Sequence, residues 1–211
     1  MNNDLSKQEQ AVNLYASQGK TQQAVKLLFD LIVNYAKAKN FSKAEALREK
    51  LYEIDAMALT EIIKSGEIIE EEKSGAMDKN HLEIWAELYK TLNKEESNAL
   101  YFALKHAEYG PDEEIFQQGQ RNDRLYFINH GQAKLVYSQA GRETLLRVIA
   151  PGMIAGEDTF FTITFCTSSL ITISKVKLSY LEKEDFNKWQ DGLVSLASRL
   201  EDHCGKLKKK L

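Results

Sequence analysis

Histidines and cysteines, which often bind metals or act as nucleophiles, are few in this sequence and widely separated. The histidines are His81, His106, His130 and His203, and the cysteines are Cys166 and Cys204. Their spacing does not fit a shared metal site, and two cysteines are too few for a disulfide framework. The sequence also lacks the phosphate-loop, zinc-protease and serine-hydrolase motifs. We therefore expect no catalytic function, no bound metal and two free thiols.

Short runs rich in β-branched and aromatic residues begin near residue 110 and are separated by glycine, proline and Asn-Asp turns. Within one run, Ala133, Leu135 and Tyr137 alternate with polar residues, as in a strand with one buried face. Turns recur every eight to twelve residues or so, which favours a β-sandwich or barrel over a parallel α/β sheet. Gly119 and Gly131 follow such runs, where a positive φ is often needed.

The order of these features resembles the cyclic-nucleotide-binding domain family. The matching elements are a preceding helical segment (87–109), Gly-x-x-x-x-Ile-Phe (110–116), Gln118-Gly119, Tyr126-Phe127-Ile128, Gly131, Pro151-Gly152 and Gly156-Glu157. They cover about half of the chain. The resemblance implies a jelly roll and a regulatory role.

The resemblance also implies a ligand pocket, with candidate residues Gly156, Glu157, Asp158, Cys166, Thr167 and Ser168. In the family, the glutamate after the glycine accepts a hydrogen bond from the ribose, and an arginine about nine residues later pairs with the cyclic phosphate. Glu157 occupies the first position, but Cys166 occupies the second. No lysine or arginine lies between Asp158 and Ser174. Cyclic AMP or cyclic GMP is therefore a doubtful cofactor, and the phosphate cassette is predicted to be altered or degenerate.

Two interpretations of this cassette stay open. A buried phosphate without its cation loses about 3–5 kcal/mol, of which backbone amides and the hydroxyls of Thr167 and Ser168 can recover part. The apolar segment 158–165 favours core packing or a filled pocket over nucleotide binding. Cys166 is predicted to be a buried apolar residue, with a reactive thiol as the alternative. The chain is thus either a sensor with an altered ligand site or a ligand-free structural protein.

The N-terminal part, residues 1–63, has apolar residues three and four positions apart and predicts consecutive helical hairpins. Residues 22–55 weakly resemble one tetratricopeptide repeat, and the alternative is a few helices packed on a neighbouring domain. Segment 64–80 combines two Ser-Gly pairs with an acidic cluster and predicts a linker. We expect the N-terminal helices to bind a protein partner.

The C-terminal part, residues 187–211, predicts one helix after the jelly roll and its helical lead-in at 81–186. Its apolar positions form a heptad stripe, made of Trp189, Leu193, Leu196, Leu200 and Leu207. The stripe predicts a homodimer through this helix, with a helix docked on its own barrel as the alternative. No helix-turn-helix segment follows, so direct DNA binding is not expected.

Composition agrees with a folded protein. The formal charge of -3 at pH 7 gives no general attraction to nucleic acid or acidic membranes. No long apolar segment and no secretion signal are present, which predicts a cytoplasmic protein without membrane attachment. The predicted fold class is α+β: N-terminal α-helical hairpins, a β jelly-roll (double-stranded β-helix) domain and a C-terminal helix.

Overall fold

The computed structural model describes the backbone of residues 2–162 and 165–208, and the side chains of 7–162 and 165–205. It divides into two compact units, Met1–Met77 and Asp78–Leu211. The first is helical, and the second combines helices with antiparallel β-sheets. This confirms the predicted α+β class.

The first unit consists of helices joined by short turns. They are α1 (Asn2–Ser17), α2 (Thr21–Lys37), α3 (Phe41–Ile54) and α4 (Leu59–Ala76). Their apolar stripes meet in one core, to which Val12, Leu28, Ile32, Leu47 and Leu51 contribute. Helices α2 and α3 span nearly the same residues as the predicted unit at 22–55. Its relation to a tetratricopeptide repeat stays a prediction.

The prediction of a linker at 64–80 was wrong for most of its length, because α4 continues to Ala76. Glutamate and lysine are good helix formers, and this preference outweighs the cost of the two glycines. Ile69 is buried in the helical core, and Lys73 forms an ion pair with Glu45 of α3. These contacts anchor α4, and the boundary between the two units falls after Met77.

The second unit begins with short helices and continues into eight described strands. The helices are α5 (Lys79–Ile84), α6 (Ala86–Tyr89) and α7 (Lys94–Ala103). The strands are β1 (Lys105–Tyr109), β2 (Glu114–Phe116), β3 (Arg124–His130), β4 (Ala133–Gln139), β5 (Arg142–Ile149), β6 (Ile154–Ala155), β7 (Ser169–Thr172) and β8 (Val176–Glu182), with the short helix α8 (Glu157–Phe160) between β6 and β7.

The strands form two antiparallel four-stranded sheets, in the orders β1-β8-β3-β6 and β2-β7-β4-β5. This arrangement is the predicted jelly roll. Tyr126, Ile128 and Leu178 of the first sheet share a buried cluster with Leu170 of the second. At the β3–β4 turn Gly131 has a φ of +80°, and a Cβ there would lie 2.1 Å from the Lys175 carbonyl oxygen. Only glycine fits this turn.

The C-terminal region is two helices, so the prediction of one helix over 187–211 was wrong. Helix α9 (Lys183–Gly192) ends next to Leu193, which leaves the helical conformation, and α10 (Val194–Lys208) follows. Gly192 favours this break, because glycine is a poor helix former. Within the described residues, no helix is both long enough and apolar enough to cross a membrane.

The heptad stripe of this region faces the core of its own unit. Trp189, Leu196 and Leu200 are buried in a cluster with Trp85 and other residues of the same unit. The side chain of Leu207 lies outside the described residues. The stripe therefore packs as the docked-helix alternative describes, whereas the homodimer stays a prediction.

We expect Leu200→Ala to destabilise the second unit by about 2–5 kcal/mol, because it opens a cavity in this core. The chain's two tryptophans, Trp85 and Trp189, lie in this unit, so urea unfolding followed by tryptophan fluorescence measures the loss. Val194→Ala, at an exposed position of α10, is the matched control. A transition that shifts strongly with protein concentration would instead indicate that Leu200 stabilises an oligomer.

His81 is a buried titratable group in α5. Its Nε2 atom lies 3.1 Å from the Tyr89 hydroxyl, and its ring packs edge-on against Tyr101. Burial, together with the nearby His106, lowers the pKa of His81 from 6.5 to about 4, although Asp78 opposes the shift. The fold thus disfavours the imidazolium form. The neutral His81 ring therefore makes its full contribution to the free energy of unfolding above pH 6.5, and this contribution is lost as the pH falls toward 4.

We expect the wild type to lose about 2 kcal/mol more than His81→Gln between pH 7 and pH 4.5, because the variant has no buried imidazole to protonate. Urea unfolding at several pH values measures the difference. His130→Gln, at an exposed position of β3, should follow the wild type. Parallel pH profiles of His81→Gln and the wild type would contradict the assignment.

Candidate functional site

A cavity of about 300 Å³ lies in the jelly roll, between the β6–α8 turn, the segment before β7, and strands β2, β4 and β5. All of the candidate residues predicted from the sequence line it: Gly156, Glu157, Asp158, Cys166, Thr167 and Ser168. The other lining residues are Phe116, Leu135, Leu146, Arg147 and Thr159. The fold therefore brings together two segments that are about nine residues apart in the sequence. Their role in binding a ligand stays a prediction.

The turn at Gly156 positions the acidic end of the cavity. Gly156 has a φ of +87°, and a Cβ there would lie 2.7 Å from the Arg124 carbonyl oxygen of β3. The Thr159 hydroxyl donates to the Gly156 carbonyl (3.2 Å) and accepts from the Asn122 side-chain amide (3.1 Å). These contacts hold α8 against β3 and place Glu157 in the cavity wall.

The segment at Cys166 forms the opposite side of the cavity. The Cys166 amide donates to the Gln120 carbonyl, and the Gly119 amide donates to the Cys166 carbonyl, both at 2.8 Å. Burial raises the pKa of the Cys166 thiol, against the opposing effect of a hydrogen bond with Thr159. A neutral, buried thiol favours the apolar interpretation of Cys166 over the reactive one.

The hydroxyls beside Cys166 differ in exposure. Thr167 is exposed, whereas Ser168 is buried. Both side chains line the cavity, so their hydroxyls can form hydrogen bonds with a ligand there. The segment 166–168 thus offers neutral hydrogen-bonding groups to the cavity and no cation.

Arg147 of β5 supplies a positive charge that the sequence analysis did not assign to the site. Its Nη2 atom lies 3.7 Å from Oε1 of Glu157, and the two side chains are 20% and 11% exposed. A bulge positions it, since Leu135 pairs with Arg147 while the next residue, Val136, pairs with Leu145. The extra residue, Leu146, therefore lines the cavity together with Arg147.

A weak signal for Arg147 was present in the sequence. It stands two residues before Ile149, which is buried, so strand alternation places both residues on the inner face. The bulge was not predictable, and without its register no cavity could be assigned to the arginine.

The phenylalanines that follow Glu157 do not fill the cavity. Phe160 is buried in the helical core, with its ring 5.3 Å from that of Phe186 in α9. Phe161 packs against the same Phe186 ring. The expectation of core packing in 158–165 is met at Phe160, but the cavity stays open because this side chain points to the helices.

The second unit is thus a jelly roll with an open cavity beside a short helix that begins after Gly156. Residues 106–191 match the family described as Cyclic nucleotide-binding domain. Residues 106–191 are thus similar in sequence to this domain family, and the match covers less than half of the chain.

One curated protein is similar to part of this chain. The chain is 30% identical over 92 residues to the "CRP-like cAMP-activated global transcriptional regulator" of Mycobacterium tuberculosis, which is 43% of this chain and 41% of that protein. It therefore spans less than half the length of this curated relative.

Two solved structures share the fold. The N-terminal domain of a transcriptional regulator from Streptomyces coelicolor is 27% identical, with a TM-score of 0.51 over 58% of this chain and 87% of that one. The Catabolite Activator Protein of Thermus thermophilus is 22% identical, with a TM-score of 0.52 over 58% of each chain, and shows the fold alone.

We expect Gly156→Ala to destabilise the second unit by about 2–4 kcal/mol, because it combines an unfavourable φ with a clash against β3. Gly141→Ala is the matched control, since Gly141 also has a positive φ (+76°) but has open space around it. It should lose only about 1 kcal/mol. Equal losses, measured by urea unfolding, would show that the close approach to β3 contributes nothing.

Proposed function

We propose that the chain is a regulatory sensor, and not an enzyme, whose jelly roll binds a cyclic nucleotide in the cavity at Glu157. The N-terminal helical unit is proposed to couple this sensor to a protein partner. The observation that carries the proposal is the open cavity in which every candidate residue lies. The name of the Mycobacterium relative, cAMP-activated, supports the ligand class.

Glu157 is the proposed partner of a ribose hydroxyl. An ionised carboxylate accepts hydrogen bonds and cannot donate them, so it suits a hydroxyl donor. Its side chain is largely buried, which strengthens such a bond, and the Gly156 turn fixes its position. The apolar residues Phe116, Leu135 and Leu146 offer a surface for a purine ring.

The cassette departs from the family where the phosphate partner is expected. Cys166 is neutral, and the hydroxyls of Thr167 and Ser168 supply uncharged hydrogen bonds in its neighbourhood. Neutral hydrogen bonds are roughly half as strong as charge-assisted ones. We therefore propose an altered cassette that binds its ligand more weakly than a site with an arginine at position 166.

The surface for a protein partner is proposed to lie on the helical unit. Leu59 and Ile63, four residues apart on one face of α4, are 54% and 57% exposed, and Met57 in the preceding turn is 81% exposed. Exposed apolar residues that cluster in this way often mark protein-binding sites.

The alternative of a ligand-free dimerisation protein has less support. It required Phe160 or Phe161 in the nucleotide space and an exposed heptad stripe. Phe160 packs in the helical core, and the described part of the stripe is largely buried there as well.

Isothermal titration of the full chain with cyclic AMP and cyclic GMP tests the proposed ligand. We expect saturable binding that Glu157→Gln weakens about 10- to 100-fold, because the variant replaces a charged acceptor by a neutral amide. Glu143→Gln, an exposed glutamate of β5, is the matched control and should bind like the wild type. The absence of binding to either nucleotide at millimolar concentration would overturn the proposal.

A further inference from the structure

The positive charge of the cavity comes from strand β5 and not from the cassette. We infer that Arg147 binds the anionic group of the ligand, which then lies beside Glu157 rather than beside residue 166. This inference rests on the proposed function of the cavity. It assigns a specificity residue that the family pattern places elsewhere.

The charges on the cavity wall support this assignment. Among the described lining residues Arg147 is the only cation, whereas Glu157 and Asp158 are acidic. Without Arg147 the wall would repel a phosphate. An anionic ligand therefore needs this guanidinium, since Cys166 provides no charge.

The geometry of Arg147 leaves donors for a ligand. Both of its polar contacts use Nη2, which lies 3.4 Å from the Ile154 carbonyl oxygen and 3.7 Å from Oε1 of Glu157. A bidentate arginine–carboxylate pair has distances of about 2.7–2.9 Å, so this ion pair is loose. The guanidinium has five N–H donors, and those on Nε and Nη1 have no partner among the described residues. They lie at two different edges of the guanidinium, and each can donate to a phosphate oxygen, with Nη2 as the second donor of the fork.

The burial of Arg147 and Glu157 carries a desolvation cost that a purely structural ion pair would have to offset. Both side chains are mostly withdrawn from water, and a loose pair recovers little of the desolvation free energy. A phosphate that accepts from Nε or from Nη1 would satisfy donors that the ion pair leaves without a partner. The site is thus better matched to a bound anion than to the ion pair alone.

The adjacency of Arg147 and Glu157 defines the ligand chemistry. A hydroxyl that donates to Glu157 and an anionic oxygen that accepts from Arg147 must lie within a few ångströms of each other. A sugar phosphate has this arrangement when the phosphate is esterified to one hydroxyl of the sugar and the hydroxyl on the neighbouring carbon is free. A 3′,5′-cyclic nucleotide belongs to this class, through its 2′-hydroxyl and its cyclic phosphate.

Titration of wild-type and variant chains with cyclic AMP and with adenosine tests the inference. Adenosine has the same base and sugar but no charge. We expect Arg147→Met to weaken cyclic AMP binding about 30-fold or more and to leave adenosine binding within about threefold. Arg142→Met, at an exposed arginine of the same strand, should leave both affinities unchanged. If Arg147→Met does not fold, as judged by circular dichroism, Arg147→Gln replaces it.

The other outcomes are distinct. Equal losses for cyclic AMP and adenosine would show that Arg147 only shapes the cavity, which overturns the inference. Unchanged cyclic AMP binding by Arg147→Met would overturn it while leaving the proposed function intact. Failure of the wild type to bind cyclic AMP or cyclic GMP would overturn the proposed function, and this inference with it.

Discussion

The close approach of Gly156 to the Arg124 carbonyl is the constraint on which the site depends. A left-handed φ turns the chain sharply after β6, and the absence of a side chain lets the turn rest on β3. The next four residues then form α8, whose side chains divide between two environments. Glu157 and Thr159 line the cavity, whereas Phe160 enters the helical core.

Because of this division, one short element borders both the cavity and the helical core. Phe160 contacts the ring of Phe186 in α9, and the Lys183 ammonium donates to the Phe160 carbonyl at 2.6 Å. Lys183 also lies 5.0 Å from the ring centres of both phenylalanines. Glu157, in the cavity wall, is therefore three residues away from the contacts that hold α9. Packed side chains, rather than a loop, connect the cavity wall to this helix.

The parts of the fold that were predicted correctly depend on local rules. Gly119 and Gly131 both have positive φ values, as their positions after short strands suggested. The alternation of residues in β4 and the Gly156-Glu157 step also follow from short stretches of sequence. Such features need no knowledge of distant contacts, and their order carried the family resemblance that implied the jelly roll and its pocket.

The errors arose where distant contacts decide the structure. The acidic end of α4 is helical because Ile69 and Lys73 contact other helices, which composition alone does not reveal. The stripe on α9 and α10 has the period of a coiled coil, but a core in the same unit covers it. Arg147 was missed because the register of β4 and β5, with its bulge, determines where the arginine lies.

A cation on β5 differs from one in the cassette in how firmly the backbone that carries it is held. Strand β5 is paired with β4 from Arg142 to Ile149, so the backbone that carries Arg147 is ordered before any ligand binds. A charge on such a strand loses less conformational entropy on binding than a charge on an irregular segment. In the proposed arrangement, the arginine on the wall of the barrel holds the anion, while α8 contacts the C-terminal helices through Phe160.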